Sequence, residues 1–175
     1  MDIEIRKAIP EDAHEITSVF YRTWLDTYPN EEFGIIIDDV EDKYKDAFTE
    51  EKINIQKQRI ANPNGKENRI VAVYENKIVG ISNLVRNEDN NQLKTIYILP
   101  EYQNKGIGKM LWNEVKKYCD PGKDTIVQVA TYNTNAIEFY KKLGFVDTGK
   151  RFTDEHFRMK SGAVLPEMEM IIKAE

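Results

Sequence analysis

The sequence predicts an α/β (α+β) fold: seven strands, three of them an antiparallel meander, flanked by helices, in one domain over residues 1–175. Three observations carry this expectation. Apolar residues recur at helical spacing in two long stretches, Ala13–Trp24 and Ile107–Cys119. Between them, three apolar runs follow one another across short polar connections, as in an antiparallel meander. The chain as a whole reads strand, helices, three strands, helix, strand, helix, two strands, with no internal repeat and no linker.

Each element has a local reason. Ile3 and Ile5 alternate with charged residues and open a first strand. Pro10 with Glu11 and Asp12 marks a helix start, because proline suits the first turn and carboxylates suit its positive end. Ala13, Ile16, Val19, Phe20 and Trp24 form the stripe of that helix, which runs to about Tyr28, where Pro29 stops it. Val40, Tyr44, Ala47 and Phe48 mark a second helical stripe, and Ile53, Gln56 and Ile60 a weaker third. Asn62-Pro63-Asn64-Gly65 is a turn. The meander follows as Ile70–Tyr74, Ile78–Val85 and Leu93–Leu99, with Asn87–Asn91 as a polar turn. An amphipathic helix presents Ile107, Met110, Leu111, Val115, Tyr118 and Cys119 on one face, and Asp120-Pro121-Gly122 ends it. Thr125–Thr131 is a fifth strand, and Asn135–Leu143 a short helix with Gly144 as its left-handed C-terminal cap. Phe145–Phe157 and Val164–Ile172 supply the last two strands.

Composition removes several function classes. With 41% hydrophobic and 31% charged residues the chain is neither disordered nor low in complexity. No apolar run approaches the roughly 20 residues of a membrane helix, and the N-terminus lacks a signal-peptide layout. The single Cys119 excludes an internal disulfide or a cysteine zinc site, so a cytoplasmic chain without a metal or a membrane partner is expected. Cys119 itself reads as a core residue, and His14 as a surface one. A net charge of -5 argues against general nucleic-acid binding. The charge is divided: Asp26–Glu51 holds ten acidic residues against Lys43 and Lys45, whereas Gln92–Arg151 holds ten basic against six acidic. These are either solvated helix faces or a cation-attracting surface beside an anion-attracting one.

The loop Gln103-Asn104-Lys105-Gly106-Ile107-Gly108-Lys109 carries the chemistry. Its glycines let a backbone approach a ligand closely, and the helix it opens aims free N–H groups and a positive dipole end at the loop, an arrangement that binds phosphate. A dinucleotide fingerprint would need glycine at Leu111, and a Walker loop would need Ser or Thr at Met110 and glycine at Gln103. A second pattern, Asn135-Ala136-Ile137-Glu138-Phe139-Tyr140-Lys141-Lys142-Leu143-Gly144-Phe145, follows at a fitting distance.

At these two patterns, and in element order over nearly its whole length, the sequence resembles the GNAT superfamily of acyl-CoA-dependent N-acyltransferases. The resemblance implies a mixed, mostly antiparallel seven-stranded sheet flanked by helices and splayed between its fourth and fifth strands, with acetyl-CoA as cosubstrate in the gap. It implies pairing of the main chain of Ile96, Tyr97 and Ile98 with the pantetheine arm, and main-chain N–H groups from Gln103 to Lys109 around the pyrophosphate. It makes Asn135 a cofactor contact, although helix N-cap is the simpler reading and both can hold. It makes Tyr140 the general acid on the departing thiolate, against the plainer reading of a packed helix tyrosine. An N–H of the fourth strand, Ile98 foremost, is the oxyanion donor it implies. For the base, the fourth and fifth strands contain no Asp or Glu, leaving Tyr97, Glu101, Tyr132, Glu31 and Glu32, or deprotonation through water.

Relatives wall the acceptor site with the helices after the first strand. Here that wall holds Trp24, Tyr28, Glu31 and Glu32, with Tyr97 beneath, an acidic aromatic mouth suited to a cationic amine. The stretch Trp24–Tyr28 resembles polyamine acetyltransferases of the PaiA type, although Trp24 and Tyr28 also read as core residues. The expected activity is therefore transfer of acetyl from acetyl-CoA to a small cationic amine, a polyamine before others. A protein N-terminal or lysine acetyltransferase and a non-catalytic CoA sensor are the alternatives. Residues 154–166 bear on the openness of the acceptor groove, and His156 on its border. Many relatives dimerise, which makes a homodimer the expected assembly.

Overall fold

The computed structural model describes residues 1–153, 155 and 158–174. The expectations for His156 and for the end of the sixth strand at Phe157 lie outside the described residues. β1 (Glu4–Lys7) is followed by α1 (Ala13–Thr27), α2 (Ile37–Tyr44) and α3 (Glu50–Ala61). β2 (Glu67–Tyr74), β3 (Lys77–Arg86) and β4 (Asn91–Ile98) form the meander. Then come α4 (Ile107–Val115), β5 (Thr125–Ala130), α5 (Thr134–Lys142), β6 (Val146–Thr153) and β7 (Pro166–Ile172). The seven strands make one sheet in the order β1-β2-β3-β4-β5-β7-β6. Every neighbouring pair is antiparallel except β4 and β5.

The β2–β3 hairpin turns on Glu75 and Asn76, both at positive φ (49° and 61°). A two-residue turn of that kind matches the twist of the strands it joins. Alternation along the strands builds a core on each face. On one, Ile70, Leu84, Leu93, Val127, Val129, Met168 and Met170 lie under Ile107, Leu111 and Val115 of α4, with α5 packed alongside. On the other, Val71, Val73, Ile78 and Ile81 meet Ile16 and Val19 of α1. A third cluster joins Trp24 of α1, Val40 of α2 and the segment Met159–Leu165.

Some boundaries differ from the sequence reading: α2 ends at Tyr44, short of Ala47 and Phe48. α4 ends at Val115, and Lys116–Tyr118 tightens into a 3-10 turn instead of carrying the helix to Cys119. The reason is Asn91, fully buried at the start of β4 and not in the preceding turn. Its amide donates to the carbonyls of Asp120 and Lys123 and accepts from the Asp120 N–H, pinning the chain just beyond the helix. Within β6 the register with β7 is broken between Asp147 and Arg151, where Gly149 sits at φ 82°. β7 begins at Pro166 because Met159 and Ala163 close a tight turn before it, the Met159 N–H donating to the Ala163 carbonyl. Cys119 is half-buried against the main core with its thiol pushed up by burial, and His14 is exposed beside the Phe48 ring.

Candidate active site

The sheet opens where β4 meets β5. Their parallel pairing covers Asn91–Leu93 against Thr125–Val127 and stops there among the described residues. β4 stays on β3 as far as Ile98, while β5 stays on β7 as far as Ala130. A bulge marks the parting: Leu84 faces Leu93 and Asn83 faces Thr95, leaving Lys94 as the extra residue. Such an insertion bends its strand and raises the local twist. Beyond it lies a cleft of ≈ 350 Å³ walled by α1, β4, the loop before α4, β5 and α5. The Leu99 N–H donates to Val79 on β3. By alternation along the strand, the N–H groups of Ile98 and Ile96 point to the cleft edge and that of Tyr97 toward β3.

At one end of the cleft stands the N-terminus of α4. Gly106 caps it at φ 82°, a conformation that favours glycine, with no side-chain cap. The first bond of the helix is from the Met110 N–H to the Gly106 carbonyl, so the amides of Ile107, Gly108 and Lys109 face outward from the terminus. Gln103 ties this loop to β4, its side-chain amide donating to the Ile98 carbonyl at 3.1 Å. The Lys105 ammonium donates to the Glu101 carbonyl and lies 5.2 Å from the Tyr102 ring, and Lys109 is exposed. Gly106 and Gly108 differ in kind. A Cβ on Gly106 meets nothing within 4 Å, but one on Gly108 falls 2.9 Å from the Phe139 ring and 3.2 Å from Ile98 Cδ1. Gly108 is thus where α4, α5 and β4 press together, a role that the loop pattern did not reveal.

α5 brings Tyr140 to the cleft wall, 6% exposed between the rings of Phe139 and Phe145. Among the described residues its hydroxyl has no hydrogen-bond partner. Burial, with a contribution from Tyr97, pushes this phenol well above its usual value, so it stays protonated. The cap of α5 is Asn133, whose side-chain oxygen accepts from the Ala136 N–H at 3.1 Å. Asn135 is therefore not the cap; it lies exposed in the first turn and lines the cleft.

The other side of the cleft is aromatic. The Tyr28 and Tyr97 hydroxyls are 2.8 Å apart, and the Tyr132 hydroxyl donates to the Tyr28 carbonyl at 2.8 Å. The Trp24 ring lies tilted against Tyr28 at 4.3 Å, and Phe33 stacks on Tyr132 at 5.1 Å. Burial pushes Tyr28 and Tyr97 up, and raises Tyr132 to about 12. The phenols named as candidate bases are accordingly poor ones near neutral pH. Glu101 is exposed and paired with Arg22 at 2.9 Å. Glu31 and Glu32 are exposed on a short turn and do not line the cleft, because Phe33 and Ile35 turn inward there instead. Of the acidic segment only Asp26 lines it. Asp39 is buried and accepts from the Ile36 N–H, the Ser161 N–H and the Ser161 hydroxyl. Burial alone would raise its carboxyl, but these three donors outweigh it and hold the group below its usual range.

One carboxylate on this side was not found from sequence. Glu167 of β7 faces Ala130 across the pairing with β5, and its negative charge helps to raise Tyr28, Tyr97 and Tyr132. The alternation Glu167-Met168-Glu169-Met170 was visible as a pattern. That β7 inserts between β5 and β6, at the parted end of β5, was not. Among the described residues no three His, Cys, Asp or Glu side chains gather as metal ligands would, and no helix is long and apolar enough to cross a membrane.

Residues 25–161 match the sequence profile of the acetyltransferase (GNAT) domain. Over 150 residues, 83% of this chain and 89% of the relative, the sequence is 29% identical to a spermidine N(1)-acetyltransferase of Thermoplasma acidophilum. A shorter match, 38% over 63 residues (36% of this chain, 41% of the relative), is to the peptidyl-lysine N-acetyltransferase YjaB of Salmonella typhimurium. The fold is similar to that of PaiA N-acetyltransferase from Thermoplasma acidophilum in complex with coenzyme A, at a TM-score of 0.74 and 24% identity over 99% of each chain.

Proposed function

We propose a polyamine as the acceptor of this chain, which belongs to the GNAT acetyltransferase family and is an acetyl-CoA-dependent N-acetyltransferase. The observation that carries the proposal is the asymmetry of the cleft: outward-facing helix amides at one end, and phenols and the Asp26 carboxylate at the other. The residues present fit coenzyme A. The α4 amides from Ile107 to Lys109, with the loop Gln103–Gly106, suit a pyrophosphate. The strand edge at Ile96 and Ile98 suits an amide-bearing arm, and Asn135 lies on the same wall. Bound there, acetyl-CoA supplies an activated acetyl thioester.

The chain's own groups then divide the work. The Ile98 N–H, fixed on a rigid strand at the cleft edge, is placed to stabilise negative charge on an attacked carbonyl oxygen. Tyr140 holds its proton at neutral pH and lies on the cleft wall, which supports it as the donor of a proton to a leaving thiolate. The phenols across the cleft stay protonated as well, which supports release of the amine's proton to water over a dedicated tyrosine base. Tyr28 and Tyr97 offer rings and hydroxyls to an ammonium and Asp26 an opposite charge at the rim, whereas Trp24 is buried behind Tyr28 and does not line the cleft.

The relative named for spermidine supports this acceptor, and the shorter match to a peptidyl-lysine acetyltransferase supports a lysine side chain as the second reading. The lone half-buried Cys119 supports a cytosolic location. The test is thiol release from acetyl-CoA with spermidine, spermine, an aminoglycoside and lysine peptides. Spermidine should give the highest kcat/KM, and its value should fall steeply between low and high salt as the exposed acidic segment is screened. A preference for peptide, or a flat salt response, contradicts the reading.

A further inference from the structure

We infer that Lys94 determines specificity at the acceptor site: its ammonium opposes positive charge beside β4 and so confines the cationic part of the amine to the α1 wall, where Asp26 lies; this rests on the reading of the acceptor as a cationic amine. The bulge in β4 puts Lys94 on that side of the sheet. Leu93 and Ile96 both pack into the main core beneath α4, although they are three residues apart. In a regular strand, side chains alternate and residues three apart lie on opposite faces. Here the extra residue falls between the two, so Lys94 and Thr95 both turn to the other face. Tyr97 continues that face and packs against the cluster built on Ile16 and Val19 of α1. Gln92 shares it on the near side of the bulge. Its amide donates to the Gln128 side-chain oxygen at 3.3 Å, and Gln128 alternates with Val127 and Val129, which belong to the main core.

Lys94 is the first residue of β4 beyond the last pair with β5, Leu93 with Val127, and it lines the cleft together with Thr23, Asp26 and Thr27 of α1. Among the described residues, Asp26 and Lys94 are the charged side chains of that lining. Both are exposed, and among the described residues neither forms a salt bridge, with the other or with a third group. The cations of the other end, Lys105 and Lys109, belong to the loop and helix that follow β4, and Gln103 ties that loop to Ile98. Four residues of strand, roughly 13 Å, separate Lys94 from Ile98. Lys94 is thus at the opposite end of the free edge from the outward amides of α4, and out of place for a pyrophosphate. An ammonium without a counter-charge repels a cation and attracts an anion more strongly in a partly enclosed cleft than on an open surface. Between Asp26 and Lys94 the cleft sorts amines by where their other charges lie: a cation toward α1 is favoured and a cation toward β4 is opposed. Opposing the wrong ligand contributes to specificity as holding the right one does.

The experiment compares wild-type protein with Lys94→Gln, which removes the charge, and with Lys94→Glu, which reverses it. The acceptors are spermidine, butylamine and 4-aminobutyrate, which carry, beyond the reacting nitrogen, two positive charges, none and one negative charge. The kcat/KM of each is measured, together with equilibrium binding of CoA by calorimetry. The ratio of kcat/KM for spermidine to that for butylamine should rise about threefold in Lys94→Gln and about tenfold in Lys94→Glu. The ratio for 4-aminobutyrate to butylamine should move the opposite way, and CoA affinity should stay at the wild-type level. Ratios unchanged in both variants, or shifted in the same direction for spermidine and 4-aminobutyrate, overturn the assignment. Weakened CoA binding overturns it too, because it places Lys94 at the cofactor. If wild-type protein acetylates butylamine but not spermidine, the polyamine reading falls, and the assignment of Lys94 stands only if reversing its charge brings spermidine in. If none of the amines is acetylated, both fall.

Discussion

Replacing Gly108 by alanine separates two roles that a glycine in this loop could have. If Gly108 serves ligand approach, the substitution weakens CoA binding and leaves stability alone. The structure says otherwise, because the added methyl would sit 2.9 and 3.0 Å from the Phe139 ring and 3.2 Å from Ile98 Cδ1. Contacts that short force α5 or β4 to move, and overpacking of this kind costs about 1–3 kcal/mol. Alanine returns up to about 1 kcal/mol of helix propensity, less so near a helix end. The net destabilisation is about 1–2 kcal/mol, which for a chain of this length lowers the melting temperature by about 2–8 °C. Thermal unfolding followed by circular dichroism measures it. Phe139→Leu removes the ring edge that the methyl meets, so the double variant should recover part of the loss, a coupling read from a double-mutant cycle. A Gly108→Ala protein that melts at or above the wild-type temperature refutes this account, and weakened CoA binding at unchanged stability restores the ligand-approach role.

Two further outcomes are expected. Tyr140→Phe keeps the buried ring and removes only an unpaired hydroxyl, so stability and CoA affinity should hold while kcat falls about 10²-fold, the lower range for loss of a general acid; unchanged kcat removes Tyr140 from the mechanism. The Asp39 carboxyl titrates below its unfolded value near 4, so it stabilises the fold above that pH and the contribution is lost as pH falls through the folded value. Asp39→Asn should therefore lower stability at pH 7 and flatten the acid limb of the stability profile, measured by urea unfolding from pH 7 to pH 3; parallel profiles for both proteins contradict the assignment.

Much of the site was legible because its signals are local. Gly106, the open helix terminus after it and the helix within Asn135–Phe145 are set by chain conformation over a few residues, and pattern alone located them. The acceptor side was misread where the argument passed from composition to space. Ten acidic residues between Asp26 and Glu51 looked like a wall, but an acidic residue can cap a helix, pair with a loop or face solvent. Asp39 does the first two, Glu31 and Glu32 the last. Asn135 was taken as a possible cap because it begins the motif, whereas Asn133 holds that position, two residues earlier.

By itself the sequence determined which segments become strands and helices, because periodicity and turn chemistry act over short range. It also determined that a helix N-terminus follows the fourth strand and that a tyrosine stands on the next helix. Only the tertiary structure decided where the sheet parts. That depends on a bulge at Lys94 and on β7 taking the far edge of β5, a pairing between segments about 40 residues apart. It also decided that Gly108 is a contact between three elements and that Tyr28, Tyr97 and Tyr132 meet from distant parts of the chain. Such meetings are set by which surfaces bury one another, and no window along the sequence contains both partners.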